Sequence, residues 1–217
     1  CSFNKNLHNL KDNPDVYIAK KIKSTPLKYV MLSTSKVYGS RSYKKKMKEN
    51  FKCKPKTKYG LIRLKTENIL LKILSKRLLI LRISNILMFD LRKDKQSANF
   101  INVMLNSLKY KFSITIPKKK IVKDFITIDY FTENIFKLIK KEVNGIFNIS
   151  SSIGISLNKI SLLLINGFGR GKINYINTNS DSFILSNNKL IKTNRNYISL
   201  KILNKYIYNL GKKLKNA

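Results

Sequence analysis

The feature that most limits the fold is a set of short, predominantly apolar runs. Tyr29-Val30-Met31-Leu32-Ser33, Leu78 to Ile83 and Ile146-Phe147-Asn148-Ile149 have the length of strands and lack the in-out alternation of a strand with one wet face. Strands buried on both faces need helices on both sides and pair in parallel. The segments between them supply the helices. Tyr59 to Leu74 places Leu61, Ile62, Leu64, Ile69, Leu70 and Ile73 at helical spacing, with no Gly or Pro after Gly60. Asp15 to Ser24 reads as the end of another helix, and Ala98–Leu108 and Phe131–Lys141 as two more, with a short strand expected at Phe112–Ile116. An α/β fold on a parallel sheet follows. From Gly154 onward, short helices mixed with loops are expected to form a smaller lobe.

The chain has 217 residues, enough to bury a core. It carries 45 Lys+Arg against 11 Asp+Glu, a net charge of +34. A basic balance of that size invites a nucleic-acid partner. The lysines, however, are spread along the chain, with short clusters only at Lys44-Lys45-Lys46 and Lys118-Lys119-Lys120. Lys, Asn and Ile are abundant together, the mark of an AT-biased genome, so no nucleic-acid partner is expected. No apolar run exceeds four residues, and Leu78–Leu81 stops at Arg82, well short of a membrane span, so no membrane partner is expected either. Cys1 and Cys53 form neither a disulfide framework nor a zinc site, so no metal is expected and a reducing, cytoplasmic setting is the default. No secretory signal precedes the first helix, and a start at Cys1 instead of Met points to a missing natural beginning. His8, the only His, sits in a polar stretch and reads as solvated.

Three segments carry chemistry. Ser33-Thr34-Ser35-Lys36-Val37-Tyr38-Gly39 masses hydroxyls past the C-terminal end of an apolar strand, the edge where open α/β sheets bind ligands. Tyr59 and Arg63 lie one helical turn apart, and a cation there is expected to lower the Tyr59 pKa toward working pH. Ile121 to Tyr130 sets Lys123 and Asp124 on a strand-like run that leads into a helix.

In order and spacing the chain resembles the extended short-chain dehydrogenase/reductases, the NAD-dependent epimerase/dehydratase family that acts on nucleotide sugars. Ser33–Gly39 is similar to the family's S-[ST]-x-x-V-Y-G stretch, which implies a catalytic Thr34 beside Ser33 in the cofactor site. Tyr59-Gly60, Arg63 and Glu67 are similar to Y-G-x-x-K-x-x-x-E, which implies Tyr59 as acid/base, with Tyr59 and Arg63 also meeting the cofactor. Leu81-Arg82-Ile83-Ser84-Asn85 resembles L-R-x-x-N, with Asn85 on the substrate. Lys123-Asp124-Phe125-Ile126 resembles R-D-[FY]-I, with Lys123 over the substrate diphosphate. Gly145-Ile146-Phe147-Asn148-Ile149, then Ile155-Ser156-Leu157, completes the set. The resemblance implies a Rossmann-like doubly wound parallel sheet over residues 1–150, with 110–123 contributing to a substrate lobe at 151–217. It also implies NAD or NADP as cofactor, a nucleotide-sugar substrate, and a possible homodimer through the helices at Tyr59–Leu74 and Ala98–Leu108. Oxidation of a sugar hydroxyl needs a base and an oxyanion donor, roles that fall to Tyr59 and Thr34.

Two departures bear on activity. Arg63 stands where the family has Lys; it keeps the charge but is planar and is never deprotonated. No G-x-x-G-x-x-G occurs, and Gly167-Phe168-Gly169-Arg170-Gly171 reads as a loop. The chain is therefore expected to be a fragment or truncated form whose Gly-rich turn lies ahead of it, with Cys1-Ser2-Phe3-Asn4 as a remnant of the cofactor edge. Ser35-Lys36 replaces the acidic pair of a dehydratase, which favours an epimerase or 4-keto reductase. The alternative is a catalytically silent relative that binds a nucleotide sugar or a partner subunit.

Overall fold

The computed structural model describes residues 13–39, 45–89, 100–178 and 180–217. His8, Cys1–Asn4, Lys44 and Ala98 lie outside the described residues. In chain order the first half contains α1 (Pro14–Lys21), β1 (Tyr29–Thr34), α2 (Lys58–Leu74), β2 (Leu78–Ile83), β3 (Asn85–Leu87) and α3 (Phe100–Lys111). The second half contains β4 (Ser113–Pro117), β5 (Val122–Thr127), α4 (Ile128–Lys140), β6 (Gly145–Ile149), β7 (Gly154–Ser156), α5 (Leu157–Phe168), β8 (Lys172–Ile176), α6 (Asn188–Asn194) and α7 (Leu200–Lys215). A 3₁₀ turn, Ser35–Tyr38, follows β1 directly.

The expected strands form a parallel sheet in the order β1-β2-β6. Strand β2 shows why its sequence lacks alternation: Leu78 and Ile80 pack with Val16, Ala19, Met31, Leu70 and Leu74 under α1 and α2, while Leu79 and Leu81 pack on the other face with Leu138 of α4 and Phe147. Both faces are covered, which defines a doubly wound sheet. Asn13 caps α1 through its side-chain oxygen, and its amide nitrogen donates to Thr66 Oγ1 at 3.0 Å, tying α1 to α2.

Past Gly154 the expectation of short helices fails. Helices α5 and α7 run for 12 and 16 residues and pack on each other. Gly167 and Phe168 are the last turn of α5, not loop, and Gly169 is its left-handed cap. A Cβ on Gly167 would lie 2.1 Å from the Tyr208 carbonyl oxygen, and one on Gly211 would lie 2.2 Å from that of Leu164. The two helices cross backbone to backbone at these glycines, a requirement that a single-sequence reading for turns cannot see. Of the remaining pairings, β3 runs parallel to β5 and Met47 bridges to Leu185, joining the two halves of the chain, while β4 runs parallel to β8 and β5 antiparallel to β7 within the second half. One apolar cluster extends from Leu79 to Leu214. Among the described residues, no helix is long and apolar enough to cross a membrane.

Gly167→Ala must push α7 away from α5, and urea unfolding should show a loss of about 1–3 kcal/mol with the slope unchanged.

Candidate functional site

Strand β1 delivers Ser33 and Thr34 to its C-terminal end, where the chain turns sharply. The Thr34 hydroxyl caps the 3₁₀ turn by accepting from the Lys36 N–H at 3.3 Å. Helix α2 starts against that turn. A Cβ on Gly60 would fall 2.6 Å from the Lys36 carbonyl oxygen, so only glycine allows the contact. Tyr59 is thereby brought close enough to Thr34 for the Thr34 side chain to lower the Tyr59 pKa. The two residues expected to be catalytic therefore meet.

Beneath them lies a buried polar network. Glu67 of α2 pairs with Arg82 of β2, with 2.7 Å between Oε2 and Nη2, and both side chains are almost fully buried. The Ser33 hydroxyl donates to Glu67. The Arg82 guanidinium lies 4.8 Å from the centre of the Tyr38 ring and donates to the Glu49 carbonyl. The Tyr38 hydroxyl donates to Asn148 Oδ1 at 2.8 Å, and Asn148 Nδ2 donates to the Met47 and Ser186 carbonyls. Burial penalises the Arg82 charge, and Glu67 more than offsets this, so Arg82 stays protonated well above its ordinary range. The expected cofactor contact Ser33 is thus held by Glu67. Sequence reasoning had these residues as motif letters and missed that they touch; a buried Glu and Arg on adjoining elements were the available signal.

Arg63 is buried and donates to Asp15 Oδ2 at 2.7 Å and to the Leu32 carbonyl. Asp15 also accepts from the Tyr29 hydroxyl at 2.7 Å. The expected fall in the Tyr59 pKa does not occur. Burial raises it, and this outweighs the lowering by Arg63 and by the Thr34 side chain, while Asp15 raises it further.

On β5, Lys123 is buried and its ammonium donates to the Asp181 carbonyl at 3.0 Å. It lies 5.5 Å from the centre of the Phe183 ring and 5.8 Å from that of Phe100. Burial, then the nearby Lys36 charge, push Lys123 down to about 8, with Asp181 pulling the other way. Asp124 is fully buried and points elsewhere. It accepts from the Ser151 N–H and hydroxyl, the Ser152 N–H and the Leu185 N–H, at 2.9–3.2 Å. Burial nevertheless pushes Asp124 up to about 7 against the pull of these donors. Asn85 Nδ2 donates to the Asp124 carbonyl at 2.8 Å. The structure therefore joins Thr34 with Tyr59, and commits Ser33, Arg63 and Asn85 to protein partners. Among the described residues no cluster of three or more His, Cys, Asp or Glu is placed to hold a metal.

Fold and site together define a Rossmann-like α/β protein with its polar site at the C-terminal end of a parallel strand. Solved structures share this fold. dTDP-glucose 4,6-dehydratase from Bacillus anthracis in complex with NAD superposes with a TM-score of 0.79 at 16% identity, over 93% of this chain and 66% of that one. UDP-N-acetylglucosamine 4-epimerase from Methanobrevibacter ruminantium, in complex with UDP-N-acetylmuramic acid, gives 0.83 at 15% identity, over 96% and 70%. UDP-glucuronic acid 4-epimerase from Bacillus cereus in complex with NAD gives 0.79 at 18% identity, over 99% and 72%. The chain thus spans about two thirds of the length of these structures. No protein-family model and no curated protein matches the sequence.

Asp124 gives the site a pH signature. Because its folded pKa is raised, the folded state holds more protons than the unfolded one between about pH 4 and 7. Stability should fall as pH rises through that window, by up to about 1.4 kcal/mol per unit from this group. Unfolding of Asp124→Asn across the same range should lack that component of the slope.

Proposed function

We propose that this chain belongs to an NAD-dependent nucleotide-sugar epimerase or 4-keto reductase, with Tyr59 moving the proton of a sugar hydroxyl and Thr34 holding the oxygen. The observation that carries this reading is the closeness of Tyr59 to Thr34 at the end of β1, where the Thr34 side chain acts on the Tyr59 hydroxyl. The nucleotide sugars and NAD held by structures of the same fold support it. NAD, when bound, supplies the acceptor for hydride from the sugar carbon. Thr34 and Tyr59 fit the reacting end of such a cofactor. The 217 residues contain no G-x-x-G-x-x-G turn, Ser33 donates to Glu67, and the Arg63 Nη groups donate to Asp15 and the Leu32 carbonyl. These residues alone do not make a pyrophosphate cradle. Lys123 provides a cation for the substrate diphosphate. The exposed Leu61 and Leu71 of α2, and Val103 and Tyr110 of α3, are apolar surface for a pairing of two copies.

Tyr59 must lose its proton to act as a base, and its raised pKa disfavours that form. Turnover of a UDP- or dTDP-sugar in excess NAD should therefore rise with pH beyond neutrality. Tyr59→Phe should lower it by about 10²–10⁴-fold while calorimetric binding of the sugar nucleotide is kept. The second reading, a silent binder, is favoured by Arg63 being locked onto Asp15. Tight sugar-nucleotide binding with turnover no different between wild type and Tyr59→Phe would select it.

NAD itself should bind the 217-residue chain weakly, with a dissociation constant above about 100 µM, or less than about 5.5 kcal/mol. A calorimetric titration reaching low micromolar affinity would overturn the argument from the absent cradle.

A further inference from the structure

Two lysines converge on one aromatic ring beside the Tyr59–Thr34 pair. Lys36, in the 3₁₀ turn two residues past Thr34, places its ammonium 5.5 Å from the centre of the Phe183 ring. Lys123, from β5, lies at the same distance from that ring. Phe183 is a firm floor: it is buried against Val37, Tyr38, Met47 and Leu185, and its N–H donates to the Val122 carbonyl. An aromatic face attracts one cation, and a second ammonium drawn to it meets repulsion from the first. Among the described residues, the charged groups that act on Lys123 are Lys36 and Asp181. Asp124, its neighbour in sequence, turns its carboxylate to Ser151, Ser152 and Leu185 instead. Of the two ammonium groups, that of Lys123 is buried and that of Lys36 exposed.

We propose that Lys36 and Lys123 form a two-cation clamp over Phe183 for a dianionic diphosphate, with Lys36 the second and hitherto unassigned binding residue. The proposal rests on the nucleotide-sugar reading for its natural ligand, but its geometry requires only a diphosphate. A bound dianion replaces the repulsion between the lysines with two attractions, and it favours the protonated form of Lys123. Binding is therefore coupled to proton uptake by Lys123, and affinity falls as pH rises through about 8. Lys36 acts on that coupling directly: without its charge, Lys123 holds its proton to higher pH.

The test titrates inorganic pyrophosphate and a UDP-sugar into wild type, Lys36→Met and Lys123→Met at physiological salt, from pH 6.5 to 9.5. Lys36 is exposed and Met keeps most of its stem, so the fold is retained. Lys36→Met should weaken pyrophosphate roughly tenfold to a hundredfold, the range for a hydrogen bond to a charged group. The fall in its remaining affinity with pH should move to higher pH than in wild type. A Lys36→Met protein that binds pyrophosphate as tightly as wild type, or whose pH profile is unmoved, overturns the clamp. If the clamp signature appears with pyrophosphate while the UDP-sugar binds no better than pyrophosphate, the clamp stands and the nucleotide-sugar reading fails. If the UDP-sugar binds tightly and only Lys123→Met weakens it, that reading stands and the clamp fails.

Discussion

Glu67 and Arg82 sit in the interior with almost no water contact, and much of the site hangs from that pair. A buried charge left without its partner costs about 3–5 kcal/mol, so neither side chain can leave. Glu67 fixes the middle of α2 to the strand end that carries Ser33, and Arg82 fixes β2 to Tyr38 and the Glu49 backbone. Through Tyr38 the same network reaches Asn148 on β6. The three parallel strands and α2 are thereby locked in register at their C-terminal ends. The Tyr59–Thr34 contact is about two turns along α2 from Glu67, a point that cannot shift. Its geometry follows from the ion pair beneath it more than from any property of Tyr59.

That dependence explains what could be read in advance. The strand Leu78–Ile83 was legible because a strand buried on both faces has only one kind of sequence, and Tyr29–Thr34 was legible from its apolar run although it leaves Leu32 exposed. Helix α2 was legible from periodicity to within a residue. The expected meeting of Thr34 with Tyr59 was implied by the family resemblance, and the structure brings them together. The partners of Arg63 were not legible. Asp15 lies on another helix, 48 positions away, and nothing local points to it. The pKa expectation for Tyr59 failed for a related reason: a neighbouring cation can be seen in sequence, but burial cannot. Gly167 was misread as a loop because glycine serves both turns and close helix crossings, and only the position of Tyr208 decides between them.

Arg63 and Lys36 show how charge is redistributed around the site. The guanidinium at the position one turn from Tyr59 faces inward, bridging α1 to β1 through Asp15 and Leu32. A fork with several donors suits such bridging better than a point charge does. The exposed positive charge near Thr34 comes instead from Lys36, two residues further along the turn. The same overall basicity thus performs two separate tasks, one of cohesion and one of attraction.

The pairing of β4 with β8 and of β5 with β7 also governs how the chain reaches its folded state. Ser113 finds its partner only when Lys172 has been made, and the cluster that begins at Leu79 closes with Leu214 in the last helix. Contacts so distant along the chain make for slow folding. During synthesis the apolar strands β1 and β2 would emerge long before the helices that cover their second face. A nascent chain of this design is exposed to aggregation until its C-terminus is released, and its yield in a cell should depend on chaperones that hold it through that interval.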